Sequence, residues 1–126
     1  MKNNFFKLTE YLYYFSLTTL LVLYLFPGSL IGYFLYGDLG QQPNLVNNPI
    51  GTSINHFIFF IYLSVLASIC NKKKIIFLTS FYFILTMSII LEISHFIIPN
   101  RAFEIYDLLA NMAGVIIIFL IGKIIK

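Results

Sequence analysis

Glu92, His95, Arg101, Asp107 and Asn111 fall within one stretch, residues 92–111, of a chain that is otherwise close to pure hydrocarbon. Glu92 lies a helical turn or more inside an apolar run, where an ionisable group is costly enough that its default reading is functional. Arg101 and Glu104 lie in the intervening turn and can also be read as headgroup-layer anchors of a hairpin. The chemistry on offer takes few forms. Glu92 and Asp107 could serve as general acid and base, with His56 or His95 carrying protons. Arg101 presents a planar fork suited to a carboxylate or phosphate. Glu92 and His95 are spaced as in helical-bundle metal proteins, but those use Glu-x-x-His twice and this chain has it once. No metal or other cofactor is therefore expected. Ser53 and Ser94 lack a local pattern that would mark a nucleophile.

These residues must be positioned by membrane helices. The chain has 126 residues, 60% hydrophobic and 10% charged, with a mean hydropathy of +0.89. A soluble domain carries about 25% charged residues, so too little polar surface is available to cover a water-soluble globule. The sequence predicts an all-α integral membrane protein forming a single domain over 1–126. The net charge of +3 is spread over segment ends rather than gathered on a face, which argues against nucleic acid as a partner. The single cysteine, Cys70, excludes an internal disulfide. Beside Lys72 to Lys74 it could be acylated, although a small buried apolar side chain is the simpler reading.

Four apolar runs, at about 8–26, 54–70, 75–98 and 105–125, are read as transmembrane helices. The first resembles a signal peptide in having a basic start, but it is longer than the usual apolar region and lacks a small-x-small cleavage site. Pro27-Gly28 stops it. Glu10 and Lys7, one turn apart, suggest a local ion pair, and Tyr11, Tyr13 and Tyr14 fit an interfacial belt. Ser29 to Tyr36 is too short to span, so it is expected to be interfacial or re-entrant. Residues 37–51, with Pro43, Pro49, Asn44, Asn47 and Asn48, read as loop.

The lysines set the orientation. Lys2, Lys7, Lys72, Lys73, Lys74, Lys123 and Lys126 fall on one side of a four-span bundle, and Arg101 on the other. The positive-inside rule then places both termini in the cytoplasm. That topology brings His56, distant in sequence, to the same outer end as Glu92, His95, Asp107 and Asn111. Glu92, His95 and Pro99 share one stripe of the third span, and Asp107, Asn111 and Gly114 share one stripe of the fourth. The two stripes are expected to face each other or a common pocket, with Gly114 allowing close approach. Arg101 is expected to pair with Asp107 or with an anionic headgroup. Phe57, Phe96, Phe103 and Tyr106 surround the cluster and are read as interfacial aromatics in preference to a dedicated cage.

The run from Glu92 through Pro99-Asn-Arg101 to Asp107-x-x-x-Asn111-x-x-Gly114 resembles the VanZ-like family, and His56-Phe57 resembles that family's His-Phe pair. The resemblance covers about Thr52 to Gly122. Thr52-Ser53 stands where the family often has Asp-Lys, and His95 where it often has Gln. The resemblance implies a small multi-pass protein of the bacterial inner membrane and cell envelope. It also implies a possible part in resistance to the antibiotic teicoplanin, with which the name-giving member is associated.

Together these readings give a candidate ligand site of His56, Glu92, His95, Arg101, Asp107 and Asn111 in the outer leaflet. Its expected partner is an envelope lipid, a lipid-linked precursor or a glycopeptide-related ligand. The alternative is an intramembrane hydrolase or transferase using Glu92 and Asp107 as acid and base. A homo-oligomer or a membrane-protein partner is compatible with either. A channel is disfavoured, because the sequence shows no polar residue lining the inner half of the bundle.

Overall fold

A computed structural model of the chain describes residues 2–43, 51–72 and 77–125, and among these it is entirely helical. Helix α1 covers Lys2–Leu25, α2 Leu30–Tyr36, α3 Ser53–Asn71, α4 Phe81–Ser94 and α5 Ile105–Ile124, with a 3-10 turn at Phe77–Thr79 before α4. Each boundary has a local cause. Pro27 lacks the N–H needed to continue α1. Gly28 then takes a positive φ of 96°, which turns the chain back. Ser29 caps α2 by accepting from the Gly32 amide at 2.9 Å, and Gly37, at φ 71°, ends it in the left-handed conformation.

Among the described residues, three helices are long and apolar enough to cross a membrane: Asn4–Leu25, Ser53–Asn71 and Ile105–Ile124. The expected third span, 75–98, is shorter than its apolar run. Ser80 accepts from the Phe83 amide at 3.2 Å and starts a new helix there. α4 is 14 residues long and stops at Ser94, so it rises about 21 Å against roughly 30 Å of hydrocarbon. Pro99 disfavours helix at the residue before it, and Asn100 sits at φ 58°. Pro99 therefore does not share a helical stripe with Glu92, and it is exposed. Residues 75 and 76, together with Lys73, Lys74 and Lys126, lie outside the described residues, as do Asn44, Asn47, Asn48 and Pro49.

The helices alternate in direction. Tyr24, near the end of α1, meets His56 near the start of α3, while Ser16, earlier in α1, meets Tyr62, later in α3. α4 runs against α5, with Ser88 beside Asn111 and Glu92 beside Glu104. α3 and α5 are parallel and form the most extensive helix pairing. Gly114 is the reason they come so close: a Cβ there would lie 2.8 Å from the Phe57 carbonyl oxygen and 3.1 Å from the Ile61 nitrogen. The close approach expected between α4 and α5 is thus made between α5 and α3.

Tyr13, Leu17 and Leu20 of α1, Phe60 and Leu63 of α3, Ile84 and Leu91 of α4 and Val115 of α5 form the core. Burial there also settles several side-chain expectations. Cys70 is buried in this core. Tyr11 is 74% exposed, as a belt residue would be, but Tyr13 is fully buried and donates to the Leu78 carbonyl. At the same end Asn71 and Thr79 bond reciprocally. The half of the bundle remote from Glu92 is therefore not free of polar side chains. Lys7 and Glu10 are both exposed, and the ion pairs among the described residues all involve histidine rather than this pair. Lys7, Lys72 and Lys123 lie exposed at one end of the bundle, opposite the Glu92 end.

Candidate functional site

Four helices deliver side chains to one buried point. Tyr24 comes from the last turn of α1, His56 from the first turn of α3, Glu92 from the last turn of α4, and Asp107 and Asn111 from the first turns of α5. Alternation of helix direction makes this possible, since one end of the bundle collects two helix starts and two helix ends. Glu92 and Asn111 are fully buried, Asp107 and Tyr24 nearly so.

His56 is the centre. Its Nε2 lies 3.5 Å from Asp107 Oδ2, its Nδ1 lies 3.9 Å from Glu92 Oε2, and Nδ1 also meets the Tyr24 hydroxyl at 2.5 Å. The direction of the hydrogen bonds follows from Asn111. Its Nδ2 donates to the Ser88 carbonyl at 3.4 Å, so its Oδ1 turns to Tyr24 and accepts the hydroxyl proton at 3.0 Å. A hydroxyl has one proton to give. The Tyr24 oxygen must then accept from His56 Nδ1–H, which leaves Nε2 facing Asp107.

Each carboxylate is held by neighbouring donors. Ser53 donates to Asp107 Oδ1, and Thr52 reaches Oδ2 at 3.5 Å. Glu92 Oε1 accepts from the Glu104 amide at 3.2 Å and lies 3.3 Å from His95 Nδ1. The Glu104 amide is an orphan donor at the start of α5, so Glu92 and Asp107 both lie at the positive end of that helix. Glu92 Oε2 and His95 Nε2 are buried without a hydrogen-bond partner. The His95 ring stacks on Tyr24 with centroids 5.3 Å apart and planes 16° apart.

Arg101 does not pair with Asp107. Its Nη2 donates to the Leu23 carbonyl and its Nε to the Phe26 carbonyl at 3.4 Å. The Leu23 oxygen would bond the amide of residue 27 in a continued helix, and Pro27 has none. The guanidinium fills that vacancy and places positive charge at the negative end of α1. Desolvation lowers the Arg101 pKa from its ordinary value, with Tyr24 and Glu92 acting in the opposite direction. Glu104 is pushed the other way: burial raises its pKa, and Asp107 and Glu92 add to the effect.

A cleft of about 120 Å³ opens beside this cluster between the end of α1, α2 and the start of α3. Leu20, Leu23, Leu30, Ile31 and Phe59 make its apolar wall, and Arg101, His56, His95, Tyr24 and Asn55 its polar side. No carboxylate lines it among the described residues. Gly32 sets the fit of its lid, since a Cβ there would lie 1.6 Å from the Gln41 carbonyl oxygen.

Of the residues picked out from sequence, His56, Glu92, His95, Asp107 and Asn111 converge, and Arg101 lies at the cleft with a different partner. The aromatics form no cage among the described residues. Phe96 and Phe103 stack on each other, and Phe96 and Tyr106 are exposed. Tyr24 takes that place and went unrecognised in the sequence. Its one signal was its position, a single turn before Pro27 at the end of α1 that must meet His56. Thr52 and Ser53, where a charged partner had been missing, supply hydroxyls to Asp107 instead.

The model of the VanZ/LLP1 family matches residues 7–126, essentially the whole chain. No curated protein and no solved structure matches it.

Proposed function

The chain belongs to the VanZ/LLP1 family, and from that premise we propose that it is a multi-pass protein of the bacterial inner membrane that binds an anionic envelope lipid or lipid-linked precursor. On this reading four segments cross the bilayer, α4 together with its flanking 3-10 turn and the residues up to Ile98. Both termini are cytoplasmic, following the exposed lysines Lys7, Lys72 and Lys123. The polar cluster and its cleft then lie in the outer leaflet. α2, whose Tyr33, Phe34 and Leu35 are exposed, rests in the interface above them.

The observation that carries the reading is the lining of the cleft. An apolar wall suits an acyl or prenyl chain. The polar side offers the Arg101 charge, two imidazoles and an amide, with no acid to repel a phosphate. The carboxylates stay behind the histidines, engaged by Ser53 and by the Glu104 amide. Lipid extraction from the purified protein tests this. Ile31→Trp, at an exposed position on the cleft wall, and His95→Phe, which keeps the ring stack on Tyr24, should each retain about tenfold less anionic lipid, the equivalent of one lost charge-assisted contact. Retention equal to wild type in both variants rejects the reading. A role in teicoplanin resistance belongs to the same proposal. It is tested by the susceptibility of cells with and without the gene, and unchanged susceptibility rejects that part.

A second reading, an intramembrane hydrolase or transferase, is favoured by one arrangement. Glu92 and Asp107 each turn an oxygen to the same imidazole, as an acid and a base coupled through His56 would. Phosphate release from a polyprenyl diphosphate, abolished by Glu92→Gln, is its expected result; no turnover above the detergent background rejects it.

A further inference from the structure

The geometry points to a divalent-metal site made by His56, Glu92 and Asp107. One donor atom from each lies within 4.8 Å of the other two. What distinguishes this trio from a chance cluster of acids is how the remaining atoms are used. Asp107 Oδ1 is engaged by Ser53, Glu92 Oε1 by the Glu104 amide, and His56 Nδ1 by Tyr24. Each residue therefore has one atom fixed by an outer partner, while His56 Nε2 faces Asp107 Oδ2, which Thr52 reaches only at 3.5 Å, and Glu92 Oε2 lies 3.9 Å from the imidazole. Metal-bound imidazoles and carboxylates are oriented in this way by the groups behind them. Glu92 Oε2 is the second, independent mark: it is fully buried, has no hydrogen-bond partner, and points at His56.

Charge supports the same conclusion. Two carboxylates and an imidazole in the low-dielectric end of a membrane bundle carry an uncompensated negative charge unless a cation joins them. Arg101 offsets only part of it, because its guanidinium bonds the Leu23 and Phe26 carbonyls rather than either carboxylate. A divalent ion held by two carboxylates and a neutral imidazole makes a neutral site. Two ligands on a tetrahedral ion lie about 3.4 Å apart, given bonds of about 2.0–2.1 Å, and His56 Nε2 and Asp107 Oδ2 are already at 3.5 Å. One nitrogen and two carboxylate oxygens, with no thiolate, suit a borderline or hard first-row ion such as Zn²⁺ or Mn²⁺. The spacing argument against a metal concerned Glu92 with His95. The fold puts a different histidine, from another helix, in the ligand position. The site stands whether or not the cleft takes a lipid.

The test uses the full chain, freed of any tag, purified in a mild detergent, stripped with a chelator, equilibrated separately with Zn²⁺ and Mn²⁺, and desalted. Elemental analysis should find about one ion per chain of at least one of the two in the wild type, as for a site with three protein ligands. Glu92→Gln and His56→Gln should lose it. Ser53→Ala, which removes only an outer partner, should bind about 10- to 100-fold more weakly. His95→Gln should keep it. Because a ligand variant could fail to fold, the wild type alone also decides. Its melting temperature should rise with the bound ion, and Co²⁺ should give visible bands that Asp107→Asn changes. Folded wild type holding less than about a tenth of an equivalent of either ion overturns the assignment. So does a full equivalent retained by Glu92→Gln or His56→Gln.

Discussion

Replacing Arg101 with alanine tests whether its guanidinium closes α1 rather than reaching for an acid. The side chain donates to the carbonyls of Leu23 and Phe26. A hydrogen bond from a charged donor contributes about 1.5–3 kcal/mol, and a buried acceptor left bare costs about 1–3 kcal/mol. The Nε contact at 3.4 Å is long, so one strong bond and one weak one are at stake. Arg101→Ala should therefore cost about 2–4 kcal/mol, read as a loss of reversible unfolding free energy in mixed micelles. Arg101→Lys keeps a charge but not the fork, and should lose about half as much. The discriminating variant is Pro27→Ala. It restores an amide that the Leu23 oxygen can accept from within the helix. In a double-mutant cycle, Arg101→Ala should then cost at least about 1 kcal/mol less on the Pro27→Ala background than on wild type. Equal losses on both backgrounds, or a loss below about 0.5 kcal/mol for Arg101→Ala alone, would refute the capping argument.

Tyr24→Phe removes the hydroxyl that links His56 to Asn111. It should destabilise the protein by about 1–3 kcal/mol in the same unfolding assay, because two buried polar atoms lose a partner; a change within about 0.5 kcal/mol would contradict the network. Gly114→Ala places a methyl 2.8 Å from the Phe57 carbonyl. It should force α3 from α5 at about 1–3 kcal/mol, and cysteine cross-linking between the two helices should weaken in parallel. Glu104 supplies a pH dependence. Its folded-state pKa is raised by burial and by Asp107 and Glu92, so the folded state holds that proton more tightly than the unfolded chain. Its stabilising contribution is present at low pH and fades as pH rises through the folded value. Glu104→Gln should thus gain in melting temperature relative to wild type as pH is taken from about 4 to 7, across the ordinary carboxylate range; a difference that stays flat would refute it.

The position of the polar cluster was legible because it rests on quantities a sequence states directly. Apolar run length gives helices, Pro27 gives the end of the first, and alternation of direction puts His56 at the end that holds Asp107. Asp107, Asn111 and Gly114 repeat at helical spacing, and all are buried together. The length of α4 was not legible in the same way. Residues 75–98 are apolar throughout, and hydropathy does not register that Ser80 can cap a new helix start or that the chain leaves the helix at Ser94, ahead of Pro99.

By itself the sequence determined that this chain folds as apolar helices with its ionisable side chains near the helix ends, the acids and histidines of the cluster at one end and the lysines at the other, because burying a charge in mid-hydrocarbon is costly. Only the tertiary structure decided the partners. Tyr24 is one of nine tyrosines and becomes the link to His56 through the crossing of α1 with α3. Arg101 turns to α1 instead of Asp107 and fills the carbonyl that Pro27 leaves without an amide. Gly114 seats α3 rather than α4. In helices apolar on every side, periodicity records which residues share a face but not which neighbour that face will meet, and that choice is made by packing across the whole bundle.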